Sequence, residues 1–480
     1  MSDRSPIVVA SNRGPIALVR QADGNVIEKR GVGGLVTAVG GATRGREASW
    51  VAAAITDEDH ERVAAGSGRL DLADDEGGVL HVRLADIDRD DYRTYYDDFS
   101  NRVLWFVHHG LWDEVPDLRS EHAGAWETYR AVNARFAALV DEEAEDEALV
   151  FSQDYHLSLV PAGLRARRSD VAIAHFQHTP FAPPDRYAAL PGEWGRTLLE
   201  GMLAADVVGF HADRWVERFL ACCAAVLGAR IEDTTVHHRG HATRVGAYPI
   251  GASPEVLAAE AAHPRVRDRL ERLERTLDGR LLMLRVDRTD LSKNIVRGFL
   301  AFEQLLERRE DLRARVLHAA FLTPSRGGVP EYLTYMQEVH AIVERINTRF
   351  GTPEGAPVLL DIQDDFQRTL AGFRRYDVLV VNAVSDGMNL VAREGPIVNE
   401  RDGVLVLSRE TGAAAELGEA ALVIDPFDVG DTSRAMERAL DMDADERRSL
   451  AGRLRPRAAG APPEHWLERQ IEDLQRARGR

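Results

Sequence analysis

Lysine is almost absent from this chain: of its sixty basic residues only Lys29 and Lys293 are Lys, and the rest are Arg. Generic positive charge is therefore supplied by Arg, which marks Lys293 as a position needing something a guanidinium does not give. Cysteine is equally scarce. Cys222 and Cys223 are adjacent in the apolar stretch 215–227, which excludes a disulfide framework and any zinc or redox motif built on spaced thiols. They read as structural, and two buried thiols suit a reducing cytoplasm. No run of about 18 apolar residues occurs, which excludes a membrane-spanning helix, and the polar N-terminus does not read as a signal peptide. Net basic charge is also missing. A formal charge of −18 excludes an extended nucleic-acid surface, which demands a basic face. It does not exclude a small anionic substrate, because a local cation cluster can hold phosphates on an acidic protein. Two phosphate-binding signatures are absent as well. There is no Walker-type loop, and Gly31-Val32-Gly33-Gly34-Leu35-Val36 has Val where a dinucleotide fingerprint needs its third Gly.

What is present reads as an enzyme of ordinary composition, with 44% hydrophobic and 29% charged residues. At 480 residues the chain exceeds one core and implies two domains. Short β-rich runs alternate with amphipathic helices. The first series of strands is 7–11, 148–153, 171–177 and 206–210. The second is 281–286, 315–321, 358–362, 378–382, 404–407 and 421–424. Helices such as 295–308 and 331–350 lie between them. This alternation predicts parallel sheets covered by helices on both faces. The pattern breaks near Tyr248-Pro249-Ile250-Gly251-Ala252-Ser253-Pro254, which separates two Rossmann-like halves with a cleft between them. Ligands of such sheets bind beyond the carboxyl ends of the strands, so residues there carry the functional weight.

Lys293 follows one strand end in Arg288-Thr289-Asp290-Leu291-Ser292-Lys293-Asn294. A fork and a point charge five residues apart suit two neighbouring phosphates; the alternative is a surface Lys. Asp386-Gly387-Met388-Asn389-Leu390-Val391-Ala392-Arg393-Glu394 follows another strand end and reads as the opening of a helix, a natural anion site. Asp386 suits sugar hydroxyls. Glu394, two turns on and roughly 12 Å away along a helix, suits a ribose, so that one stretch could read both ends of a nucleotide sugar. The alternative is an N-cap and a surface ion pair. Asp154-Tyr155-His156 and His178-Thr179-Pro180-Phe181 end strands of the first half, where Asp and His can bond sugar hydroxyls, although a lone His is more often structural. Arg13 in Ser11-Asn12-Arg13 and Arg326 in Pro324-Ser325-Arg326 add cations. Tyr96 and Trp105 offer aromatic walls or core. His237, His238 and His241 lack an acid or Cys at ligand spacing and read as an exposed hairpin.

In order and spacing these motifs, together with Gly33-Gly34-Leu35, Tyr95-Tyr96, Phe99-Ser100-Asn101 and Tyr248-Pro249-Ile250-Gly251, resemble the trehalose-6-phosphate synthase family from about Val8 to Trp466. That family comprises retaining glycosyltransferases of the GT-B fold. The resemblance implies an α/β chain with two Rossmann-like domains whose parallel sheets face across a cleft. Residues 1–248 would bind the acceptor and 249–460 the nucleotide sugar, with 461–480 a helix returning to the N-terminal domain. It implies glucose transfer from a nucleoside diphosphate glucose to glucose 6-phosphate, giving α,α-trehalose 6-phosphate, with no cofactor and no metal. Arg288 and Lys293 would bind the donor pyrophosphate. Asp386 and the backbone of Gly387, Met388, Asn389 and Leu390 would hold the donor glucose, Glu394 the ribose, His178 the transferred glucose, and Gly34 a loop closing over the donor. Arg13 and Arg326 would clamp the acceptor phosphate, with Tyr96, Trp105 and Asp154 lining its site. Arg288, Lys293, Asp386 and His178 would carry the chemistry, and a homo-oligomer is compatible with the pattern.

Departures from the family's usual motifs are Asn294 in place of Gly, the segment 251–254 and the segment 396–399. With His211-Ala212-Asp213-Arg214-Trp215 they are similar to the actinobacterial branch and tilt the donor slightly towards GDP-glucose over UDP-glucose. That branch also contains a pseudo-glycosyltransferase forming a C–N linked product. A sensor that binds sugar phosphates without turnover is the non-enzymatic alternative.

Overall fold

The structure, a computed structural model, describes residues 6–21, 23–30, 47–66, 68–73, 78–114 and 122–478. The chain divides into two compact units, Met1–Pro249 with Pro463–Arg480, and Ile250–Pro462.

In the first unit a ten-stranded sheet is built around Ile7–Ala10. On one side of that strand lie, in order, Leu149–Gln153, Ala172–Phe176, Val207–Phe210 and His241–Ala247; on the other lie Glu47–Ala53 and Val79–Ala85, all pairing in parallel. Counting Ile7–Ala10, Glu47–Ala53, Val79–Ala85, Leu149–Gln153, Ala172–Phe176 and Val207–Phe210 as strands one to six, the order is 6-5-4-1-2-3. This is the doubly wound arrangement, which reverses direction beside strand one. Antiparallel pairs finish both edges, Arg69–Ala73 on one and the hairpin Arg230–Glu232, Thr235–His238 on the other. The His-bearing segment is thus partly sheet: His238 and His241 face each other across its turn, and His241 opens a strand of the main sheet. Central strands such as Leu149–Gln153 and Ala172–Phe176 are buried at every residue, as expected where helices cover both faces. The C-terminal helix Pro463–Arg478 belongs to this unit. Its Asp473 accepts hydrogen bonds from Tyr248 Oη (2.7 Å) and Arg244 Nε (2.9 Å), and Trp466 packs edge-on against Phe176 at 4.8 Å.

The second unit holds a six-stranded, wholly parallel sheet in the order Val358–Ile362, Val316–Thr323, Leu281–Arg288, Val378–Val381, Val404–Ser408, Leu422–Ile424. In chain order this is 3-2-1-4-5-6, so direction reverses between Leu281–Arg288 and Val378–Val381. A ligand crevice belongs at the carboxyl ends of those two strands. Among the described residues no helix is long and apolar enough to cross a membrane.

Candidate active site

The crevice position in the second unit gathers Arg288, Lys293 and Asp386. The chain leaves Leu281–Arg288, makes one tight turn over Leu291–Lys293, and enters the helix Ile295–Arg308. Asp290 shapes that turn: its buried carboxylate accepts from the backbone N–H of Ser292 at 3.0 Å and from its hydroxyl at 2.9 Å. Lys293 Nζ is ion-paired to Asp386 Oδ2, the two side chains only 13% and 16% exposed. Arg288, at the strand end, is nearly half exposed, with Nη2 3.8 Å from Asp290 Oδ2.

Residues 386–390 form a loop rather than the start of a helix, which begins at Val391. The delay has a local cause. Asn389 sits in the left-handed region at φ 78°, a conformation Asn tolerates better than most residues. Its Oδ1 accepts from the N–H of Ala392 at 3.0 Å, capping the helix, while its Nδ2 donates to Asp386 Oδ2 at 3.0 Å. Glu394 therefore lies in the first turn, and the helical spacing to Asp386 expected from sequence does not apply. The loop is pinned by its neighbour: Gly412 N–H donates to Asp386 O (3.0 Å) and Ala413 N–H to Met388 O (2.9 Å). A Cβ on Gly412 would stand 2.0 Å from Gly387 O, so this close approach requires Gly. The N–H groups of Met388, Asn389 and Leu390 make no backbone hydrogen bond among the described residues, leaving donors beside a cation as an anion site needs. Burial without a compensating charge lifts the Glu394 carboxyl to about 7, a raised value of the kind that marks functional sites.

Arg326 is held within the second unit. Its Nη1 donates to Asp290 Oδ2 at 2.7 Å and to Tyr332 Oη, and Tyr332 Oη donates to the same carboxylate at 3.1 Å. Beside it opens a cavity of about 320 Å³, lined in part by Thr289, Ser325, Leu333 and Ile362. Sequence reasoning missed Asp290 as the hub joining both cations. Its only signal was an acid two residues after an Arg in a strand-end turn.

In the first unit the strand ends beside its own reversal point gather the remaining candidates. Asn12 Nδ2 donates to Tyr92 Oη (3.1 Å) and Arg13 Nη2 to Tyr96 Oη (3.3 Å). Tyr96 lies on a π-helical stretch, Thr94–Leu104, a rare geometry that recurs at functional sites. Its ring stacks on Tyr92 at 5.5 Å and on His156 at 5.5 Å. Trp105 is buried against His109 at 3.8 Å and Tyr155 at 5.9 Å. Asp154 has φ 70°, ψ 166°, a region essentially reserved for Gly. Such strain persists only where the surroundings enforce it: Asp154 Oδ1 accepts from the N–H of Tyr155 (3.1 Å) and of His178 (3.2 Å). His178 Nε2 faces Gln153 Oε1 at 2.9 Å, so Nε2 carries the proton; Nδ1, 3.1 Å from His211 Nε2, then accepts. Burial, reinforced by His211, holds the His178 pKa well below the usual value, so the ring is neutral. Gln153 was not singled out from sequence, and His211 only as part of a branch-specific segment rather than as a site residue. Gly34 lies outside the described residues.

A family model described as "Glycosyltransferase family 20" matches residues 5–476. The chain belongs to that family. It is 34% identical over 489 residues to a trehalose-6-phosphate synthase of Mycolicibacterium smegmatis, covering 99% of this chain and 93% of the relative. It is 32% identical over 450 residues to a probable α,α-trehalose-phosphate synthase [UDP-forming] of Arabidopsis thaliana, covering 93% of this chain. The chain spans about half the length of that plant relative. Among solved structures, a trehalose-6-phosphate entity from E. coli bound with UDP-2-fluoro glucose superposes with TM-score 0.86 at 30% identity, covering 98% of this chain and 99% of that one. An α,α-trehalose-phosphate synthase (UDP-forming) from Burkholderia xenovorans in complex with glucose 6-phosphate gives TM-score 0.82 at 28% identity, covering 98% and 100%. The fold is accordingly GT-B.

Proposed function

We propose that this chain is a glycosyltransferase that moves glucose from a nucleoside diphosphate glucose to glucose 6-phosphate, with retention, to give α,α-trehalose 6-phosphate. The observation that carries the reading is the Lys293–Asp386–Asn389 cluster at the reversal point of a Rossmann-ordered sheet, in a chain whose full-length relatives make this product. Lys293 and Arg288 bind the pyrophosphate. Asp386 and the 387–390 backbone hold the glucose, Glu394 the ribose, and neutral His178 the transferred sugar. Arg13 and Arg326 bind the acceptor phosphate, with Tyr96, Trp105 and Asp154 around the acceptor ring.

Asp386 is committed to Lys293 and Asn389, which suits an anchor for hydroxyls rather than a nucleophile. The departing phosphate takes the acceptor's proton while the acceptor oxygen attacks the same face, so the anomeric C–O bond to phosphate breaks as the new one forms. The protein's share is positioning and charge stabilisation. The nucleotides in the names and ligands of the relatives are UDP, whereas the sequence departures tilt towards GDP.

Initial rates of nucleotide release, with UDP-glucose and GDP-glucose in parallel, test the reading. Release should require glucose 6-phosphate, and Arg326→Ala should raise the acceptor KM far more than the donor KM. Release that is indifferent to glucose 6-phosphate would overturn it.

A further inference from the structure

The donor cluster of the second unit rests on a buried polar network that its assigned contacts do not explain. Asn294, 2% exposed, occupies the left-handed region at φ 58°, ψ 39°. Glycine would satisfy that backbone at least as well. The Asn side chain does more: Nδ2 donates to Asn382 O at 2.9 Å and to Pro426 O at 2.8 Å, and Asn382 Nδ2 returns a bond to Asn294 O at 3.0 Å. Arg285, fully buried inside the strand Leu281–Arg288, sends Nη2 to Lys293 O (2.9 Å), Asn382 Oδ1 (3.2 Å) and Asp287 Oδ2 (2.8 Å), and Nη1 to Ile295 O (3.3 Å). Space for the guanidinium exists because residue 298 is Gly; a Cβ there would lie 2.4 Å from Nη1.

A guanidinium this deep in a sheet is costly to bury, and a well-packed apolar residue would serve stability as well or better. Its bonds point instead at the two loops that carry the donor-binding charges. Arg285 grips the backbone at Lys293 and Ile295, and Asn294 ties the residue after Lys293 to two other loops. Asn382 begins the loop that reaches Asp386 four residues later, and Pro426 opens the loop after Leu422–Ile424. Three strand-end loops are thereby fixed to one another. We infer that Arg285, Asn294 and Asn382 are positioning residues that hold Lys293 and Asp386 at their working separation before the donor arrives. The inference rests on the reading of those two residues as donor ligands. It follows the general requirement that a binding constellation be held to about half an ångström by a supporting shell.

Asn294→Gly is the informative variant, since it keeps the left-handed backbone and deletes only the side-chain bonds, whereas Arg285→Met would leave several buried acceptors without their donor. UDP and GDP binding is measured by calorimetry, donor and acceptor KM by initial rates, and folding by thermal melting. Losing the two bonds from Nδ2, together with the one that Oδ1 accepts from Arg297 Nη1 at 3.1 Å, should raise the nucleotide Kd and the donor KM by about tenfold. The acceptor KM should be unchanged, and the melting temperature should fall by only a few degrees. Because Asn294 acts through Lys293, adding Asn294→Gly to Lys293→Ala should bring little further loss. Wild-type nucleotide affinity in Asn294→Gly, or a full additional tenfold loss in the double variant, would overturn the inference. If the wild-type protein binds nucleotide but transfers no glucose, the proposed function falls while the network is still decided by the binding data.

Discussion

Replacing Lys293 by Arg is a small change in a chain that otherwise uses Arg for nearly all its positive charge, and the geometry makes it costly. The Lys293–Asp386 pair is 13% and 16% exposed, between the surface regime, where breaking a pair costs about 1 kcal/mol or less, and the buried one, where it costs about 3–5 kcal/mol. Asp386 keeps a hydrogen bond from Asn389 at 3.0 Å when the ammonium is removed. Lys293→Met should therefore destabilise the protein by only about 2 kcal/mol. Catalysis should suffer more, because one preorganised donor aimed at developing charge is worth about 10²–10³ in rate. Arg retains the charge but brings a longer, planar fork into a space set for a point charge. Lys293→Arg should fold normally, bind nucleotide detectably, and lose about 30-fold or more in kcat/KM for the donor. Initial rates at fixed glucose 6-phosphate, with a thermal melt on the same preparation, measure both quantities. A Lys293→Arg enzyme within threefold of wild type would refute the argument that this site requires an ammonium.

Glu394, with its carboxyl lifted to about 7 by burial, should bind ribose as the carboxylate. Nucleotide Kd should then rise about tenfold between pH 8 and pH 6, and Glu394→Gln should remove that dependence; a flat wild-type profile would contradict the assignment. Asp154→Gly should relieve about 1–3 kcal/mol of backbone strain while deleting the acceptor for the Tyr155 and His178 N–H groups. Stability should hold or rise as kcat/KM falls at least tenfold, and a parallel loss of both would show that Asp154 is structural. His108, His175 and His318 are buried, and desolvation depresses each pKa to about 3. A depressed His pKa gives stability that is present above the unfolded value near 6.5 and is lost as pH falls towards 3. At pH 5.5 the loss is roughly 1.4 kcal/mol for each. Denaturation at pH 7.5 and 5.5 measures it: His318→Phe should shrink the difference, and an unchanged difference would place the acid sensitivity elsewhere.

The second unit was the more legible half. Its strands are continuous apolar runs such as Val378–Val381, and its functional residues follow them directly. In the first unit two central strands escaped notice. Glu47–Ala53 has Ala at three of its seven positions and opens on Glu, and Val79–Ala85 mixes His and Arg into its run. The helix after Asp386 was placed too early because its start depends on the backbone angle of Asn389, which composition does not reveal. Arg285 was readable as a charge within an apolar strand, but its purpose required Asn382, 97 residues away, to be brought within 3.2 Å. Asp290, likewise, gains its role only when Arg326 and Tyr332 arrive from the next strand and helix.

Glucosyl transfer itself is tested most directly by NMR of the products formed by the purified protein from glucose 6-phosphate and UDP-glucose or GDP-glucose. A disaccharide phosphate with two α-anomeric signals and a 1,1-linkage is the expected result, and the donor giving the faster rate identifies the base. Free nucleotide with no disaccharide, or a product with a β-anomeric carbon, would contradict retaining transfer to glucose 6-phosphate.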